Sequence, residues 1–281
     1  MQFLKHIRVD FMASFFRVRM VIAFLFNLIY IHYKIQNLHV FCKEVSYPPA
    51  PWILPLICAT PYFPVLYGCT LLYFFSDTPF LQYREMYPVL RLGRKKWVLC
   101  KLARLWLSSL AFTLMETVAS VCMLGTWQEW TTEWGKVYQT LAQTDAGATY
   151  GISIGVSKGL LDRCTPLQAM AETMFMLFLV TGMFATLMFI LGLMSRYLAI
   201  GVGAVLTVVT IVARNADYYL PWLYNVSPFS WVDANLMHGI VVQHHPVYEY
   251  CIWFIVLFTV TASVISCKKM EHLDIHWVRE E

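Results

Sequence analysis

Apolar residues fall in long blocks, with polar and charged residues gathered between them. The blocks run over 20–35, 53–75, 102–125, 173–194, 197–213 and 250–267. About 20 apolar residues in a helix, rising about 1.5 Å each, cross a hydrocarbon core of roughly 30 Å. The pattern therefore predicts six transmembrane helices. In the first, Asn27 and His32 interrupt the apolar run. The second has no charge but carries Pro55, Pro61 and Pro64, which remove backbone donors and should bend or break it. The third has Arg104 near one end and Glu116 inside, the fourth is uncharged, and the fifth is short. Ser195-Arg196 leaves only a tight turn between the fourth and fifth, so these two form an antiparallel pair. Residues 2–16 read differently. At about 100° per residue, Phe3, Leu4, Ile7, Phe11 and Phe15 share a face, with Lys5, His6, Arg8 and Asp10 elsewhere. That predicts a helix lying in the membrane interface; the alternative is that it begins a long first span.

Composition agrees with the blocks. Of 281 residues, 59% are apolar and 14% charged, against about 45–50% and about 25% in soluble domains. Mean hydropathy is positive. A soluble enzyme, a disordered chain, a nucleic-acid binder and a secreted disulfide scaffold are excluded as readings, and no nucleic-acid partner is expected. The N-terminus lacks a small-residue cleavage site and is expected to be retained. The expected fold is an all-α membrane protein forming one domain over 1–281. It comprises an interfacial elbow helix (1–19), six spans, an inner segment (76–101) and an outer segment (126–170). A second outer segment (214–249) contains short re-entrant helices between spans five and six. The net charge of +4 matters less than its placement. Arg84, Arg91, Arg94, Lys95, Lys96, Lys101 and Arg104 cluster in and beside the inner segment. The positive-inside rule then puts both termini in the cytoplasm of a multi-pass protein, expected in the cell (plasma) membrane.

Familiar catalytic signatures are missing. The nearest approach to a phosphate loop, Gly151-Ile-Ser-Ile-Gly155-Val-Ser-Lys158, has the wrong spacing and lies in an outer segment. The chain has neither a His-Glu-x-x-His site nor a Gly-x-Ser-x-Gly elbow. No catalytic residue, resident cofactor or metal is expected, and the chain is not expected to be an enzyme by itself. His238, His244 and His245 gather near one another but match no standard metal spacing, and read as solvated or interfacial. None of the eight cysteines forms a Cys-x-x-Cys pair. Cys42 and Cys164 fall in predicted outer loops and are the pair available for a disulfide. Asn225-Val-Ser227 matches a glycosylation acceptor, but Pro228 and neighbouring aromatics favour burial. Glu116 is costly inside a membrane unless it faces a cavity or a partner. It either lines a path for a cationic or polar substrate or is a hydrogen-bonded structural group. Asn27 carries the same two readings, because one amide commonly ties two membrane helices.

The inner segment is long and basic: Phe80-Leu-Gln-Tyr-Arg-Glu-Met-Tyr-Pro-Val-Leu-Arg-Leu-Gly-Arg-Lys-Lys-Trp97. Positive-inside anchoring alone requires neither Glu85, Pro88 nor Gly93. The segment resembles the stretch between spans two and three in six-span permease subunits of bacterial ATP-binding cassette (ABC) exporters, the ABC-2 or type V-like class with an N-terminal elbow helix. The resemblance rests on Arg84-Glu85, Pro88 and Gly93-Arg94-Lys95-Lys96-Trp97. A second match is Ser227-Pro-Phe-Ser-Trp231, similar to a motif after the fifth span in that family. The outer segment 126–170 is longer than in the simplest members. The resemblance implies a membrane subunit exporting a hydrophobic or amphipathic substrate, such as a peptide, lipid-like molecule or drug. Two copies of a separate ATPase subunit would carry ATP and Mg, and a second permease copy, identical or homologous, would complete the assembly in the lipid bilayer. Arg84, Glu85, Tyr87 and Arg91 would dock the ATPase. Asn27, Pro61, Pro64, Glu116, Gly201 and Gly203 are the pathway candidates. A non-transporting scaffold or sensor subunit, or less favourably an intramembrane enzyme, are the alternatives.

Overall fold

A computed structural model describes residues 7–8, 10–12, 15, 17–76, 86–216, 219–238 and 246–272. Among them there is no strand. Five helices are long and apolar enough to cross a membrane: α1 (Val18–Val45), α5 (Arg94–Met123), α9 (Pro166–Gly192), α10 (Arg196–Asn215) and α12 (Tyr248–His272). The short helices are α2 (Leu54–Cys58), α3 (Phe63–Phe75), α4 (Met86–Leu92), α6 (Gly135–Gln143), α7 (Ala146–Thr149), α8 (Lys158–Arg163) and α11 (Ala234–His238). Two 3₁₀ turns, Pro221–Asn225 and Pro228–Val232, follow α10.

The helix α9 is apolar around most of its circumference and sits at the centre, packed by α5, α10 and α12. A helix hydrophobic all round belongs in a core. Thr165 caps its start by accepting from the Gln168 N–H, and Pro166 takes a first-turn position. Around it, α1, α10 and α12 turn large apolar residues outward. Phe26, Ile29, Val205, Val208, Trp253, Leu257 and Val260 are all more than half exposed. An apolar surface this extensive requires lipid or another protein rather than water.

The second predicted span is not one helix. It divides into α2 and α3, and α3 has 13 residues, about 20 Å at 1.5 Å each. Pro55 and Pro64 occupy first-turn positions of the two pieces, where a missing N–H costs nothing. Thr60 turns its N–H to Ile57 O instead of Leu56 O. The Leu56 carbonyl is then satisfied by Gly155 N at 2.9 Å, as buried irregular backbone demands.

Segment 126–170, expected on the outer side, is a folded cap. Trp52 Nε1 donates to Thr131 O, Trp134 Nε1 to Cys164 O and Tyr138 Oη to Ala50 O, each at 2.8 Å. Burial pushes the Tyr138 phenol up, so it remains a neutral donor. The strand-like stretch 151–157 straps this cap to the bundle. Asn37 Nδ2 donates to Gly151 O at 2.9 Å and Lys34 Nζ to Ser153 Oγ at 2.7 Å. Asn235 Nδ2 donates to Gly155 O at 2.8 Å.

All eight cysteines are free. Cys42 and Cys164, which the sequence left open as a pair, are not joined in the structure. The first helix runs ten residues past its expected end at 35, to Val45, and carries Cys42 inside a packed helix rather than in a loop.

The described residues of the elbow, Ile7, Arg8, Asp10–Met12 and Phe15, are helical apart from the gaps between them. Phe15 is buried and meets Phe74 of α3 edge-on at 6.4 Å. Asp10 pairs with Lys101 at 2.8 Å and Arg104 at 3.6 Å. The apolar face thus rests partly on the bundle, and its acid is held by α5.

Candidate functional site

Two regions concentrate polar chemistry against an apolar background. The first is a seam inside the bundle. Asn27 of α1, Tyr67 of α3, Thr113 and Glu116 of α5, and Thr181 of α9 are all buried to 1% exposure or less. Thr113 and Glu116 stand three residues apart and so share one helix face. Tyr67 Oη lies 2.6 Å from Thr181 Oγ1. Thr181 donates its single proton to Leu177 O at 2.6 Å, so Tyr67 must be the donor of the pair. The same logic orders Tyr30 and Thr60. Their hydroxyls are 2.6 Å apart, and Thr60 donates to Ile57 O, leaving Tyr30 to donate to Thr60. That bond ties α1 to the break between α2 and α3.

Glu116 is unlike its neighbours. The Asn27 side chain stands within hydrogen-bonding reach of its carboxyl. Yet both carboxyl oxygens, both Asn27 amide atoms and the Thr113 hydroxyl lack a hydrogen bond of ordinary geometry among the described residues. Buried polar groups are nearly always satisfied. These three side chains gather polar atoms in an apolar surround, where a proton, a water or a polar ligand group could be held. The two pathway candidates that the sequence left ambiguous, Asn27 and Glu116, are thereby brought together.

The other candidates scatter. Pro61 is exposed at the break, whereas Pro64 is buried in the first turn of α3. Gly201 is exposed, with nothing within 4 Å of where a Cβ would stand. Gly203 is a packing position: an added Cβ would sit 2.6 Å from Leu72 Cδ1 and 3.2 Å from Phe184 Cζ.

The second region is segment 76–101, expected on the inner side. Arg84 and Glu85 lie outside the described residues. Tyr87 and Leu90 are 72% and 71% exposed and Arg91 is also exposed, while Val89 between them is buried. Gly93 joins α4 to α5 at φ 79°, a left-handed conformation that glycine adopts without cost. The basic run beyond it is only partly available. Arg94 donates to Glu271 O at 2.7 Å and Met270 O at 3.3 Å, and Lys95 pairs with Glu271 at 2.6 Å. Arg94 thus caps the C-terminal carbonyls of α12, and Lys95 holds the carboxylate beside them. Trp97 is buried at 1% exposure.

The Ser227-Pro-Phe-Ser-Trp231 motif is core. Phe229 meets Phe184 at 5.2 Å and closes over Gly68, where a Cβ would sit 2.9 Å from its ring. Phe184 lies well inside α9, so this segment folds back alongside the helices. Ser227 Oγ is 2.9 Å from Thr210 Oγ1 and also from Ser230 Oγ. The serine of the possible glycosylation acceptor is thus buried. Arg214 at the end of α10 and Asp233 form an ion pair that holds the segment's exit.

The sequence groups His238 with His244 and His245; the latter two lie outside the described residues. His238 instead approaches Glu172 of α9 and Cys164. Nothing in the spacing of those three residues announced this, nor the partnership of Tyr67 with Thr181. A tyrosine or threonine inside an apolar block was the only available signal.

Comparison with known protein families, characterised proteins and solved structures finds no match for this chain.

Proposed function

We propose that this chain is the membrane subunit of an ATP-driven exporter and that a separate ATPase moves it from the cytoplasmic side. In this reading α2 and α3 together make a sixth, broken crossing, both termini face the cytoplasm of a plasma-membrane protein, and the elbow lies at the inner interface. The observation that carries the reading is the exposed α4 handle. Tyr87, Leu90 and Arg91 face outward, Gly93 connects them directly to α5, and Arg94 and Lys95 clamp α5 to the end of α12. A displacement applied to α4 would move two spans at once. Ion pairs and hydrogen bonds at such a handle set register with a docking partner; Arg84 and Glu85 belong to the same proposed surface. Two ATPase copies carrying ATP and Mg, acting on two permease copies, would open the path between them. The Asn27–Glu116 seam supplies the polar contact for a hydrophobic or amphipathic cargo bearing an amine or other donor.

The test is purification of the full chain from its native membrane with measurement of ATP turnover. A nucleotide-hydrolysing companion is expected, and Tyr87→Ala combined with Arg91→Glu should reduce the associated turnover at least tenfold. A native particle without ATPase activity, or turnover untouched by that variant, would defeat the proposal.

A further inference from the structure

The outer end holds a constellation of a different chemistry. One ligand atom from each of Cys164, Glu172 and His238 lies within 4.8 Å of the others. Glu172 Oε2 is 2.5 Å from His238 Nε2, yet this buried oxygen makes no hydrogen bond of ordinary geometry. The two atoms are in ion-pair contact, and the Cys164 thiol lies within 4.8 Å of both ligand groups.

The carriers are held from behind. Gln168 Nε2 donates to Glu172 Oε1 at 2.8 Å, which orients the carboxylate. Trp134 Nε1 donates to Cys164 O at 2.8 Å, which fixes the residue just before α9. The His238 ring lies against Tyr248 with centroids 6.3 Å apart. Such outer contacts are what set ligand orientation in metal sites. Beside the carboxylate and imidazole is a pocket walled by Thr173, Met176, Met237 and Tyr248, with about 10 Å³ of free volume. That is roughly the room one water needs, so the pocket suits an ion and its water rather than an organic ligand.

We propose that Cys164, Glu172 and His238 bind a divalent transition ion of the zinc class, with water as fourth ligand. Thiolate, imidazole and carboxylate form the mixed S, N, O set that Zn²⁺ accepts. The thiolate argues against Mg²⁺ and Ca²⁺, and the carboxylate against Cu⁺. Donor atoms about 2.0–2.3 Å from a tetrahedral ion stand roughly 3.3–3.8 Å apart. All three ligand atoms lie within 4.8 Å of one another, and the Glu172–His238 pair, at 2.5 Å, would have to open to admit the ion. The ion would staple three segments: the end of the outer cap, the first turns of α9, and α11. This site is independent of the exporter reading and survives its failure.

The experiment uses the full chain in detergent, reduced, stripped with a chelator and titrated with Zn²⁺ or Co²⁺. One tight Zn²⁺ per chain is expected, with a sulfur-to-metal charge-transfer band in the cobalt form. Cys164→Ser should abolish the band, and Glu172→Gln and His238→Ala should each weaken Zn²⁺ binding at least tenfold. The shape-preserving Glu172→Gln keeps the test valid if another variant misfolds. His244→Ala with His245→Ala should bind as the wild type does. Absence of tight binding, an unchanged cobalt spectrum in Cys164→Ser, or loss of binding in the His244/His245 variant would each overturn the proposal.

Discussion

The strap over the broken helix makes a sharp prediction about two glycines. At Gly155 an added Cβ would lie 2.6 Å from the backbone carbon and oxygen of Ala59. Backbone cannot rotate aside as a side-chain tip can, so Gly155→Ala must push the strap off the α2–α3 break. Overpacking of this kind costs about 1–3 kcal/mol. The shift also threatens the Gly155 N–H bond to Leu56 O and the Asn235 bond to Gly155 O. A buried carbonyl left unsatisfied adds about 1–3 kcal/mol. Together the expected loss is about 3 kcal/mol, or roughly 6–12 °C in melting temperature for a chain of this size. Gly201→Ala is the matched control. It makes the same chemical change in the interior of α10, where nothing lies within 4 Å, and replacing a helical glycine should gain about 0.5–1 kcal/mol. The assay is a thermal melt of the two variants and the wild type in one detergent, followed by intrinsic tryptophan fluorescence. The two substitutions should move the midpoint in opposite directions. If Gly155→Ala melts with the wild type, the placement of the strap is wrong; if Gly201→Ala melts well below it, Gly201 does not face open space.

Other outcomes follow from the same structure. Glu116→Gln keeps the shape of a buried acid that faces the neutral Asn27 amide and, among the described residues, no cation; its melting temperature should hold or rise, whereas a carboxylate held by a charge partner would lose about 3–5 kcal/mol. Tyr67→Phe removes the proton donated to Thr181 and should lower stability by about 1 kcal/mol, readable in the same melt. Asp10→Asn removes the carboxylate between Lys101 and Arg104; limited proteolysis should then cut within the first 20 residues faster than in the wild type, and an unchanged rate would show that the elbow is held by other contacts. Alkylation of the denatured, chelator-treated but unreduced chain should modify all eight cysteines, and a mass short by two additions would restore a disulfide.

The helical membrane character was legible in the sequence because it is a local property. Any window of about 20 residues can be weighed for its ability to cross lipid without reference to the rest. The tight Ser195-Arg196 turn and the helix-disrupting prolines were legible for the same reason. Even so, Pro55 and Pro64 act as helix starters rather than as kinks in one rod, and only the fate of the Leu56 carbonyl explains why the gap is tolerated. Cys42 was misplaced because a helix end depends on what packs against it.

Tertiary structure alone decided which polar groups meet. Lys34 finds Ser153 119 positions along the chain, and Tyr67 finds Thr181 across 114. Asn27 meets Glu116, and His238 meets Glu172 and Cys164. Such meetings depend on the rotation of each helix about its axis and on its depth beside the next. Those are settled by close packing across the whole bundle, and no single segment encodes them.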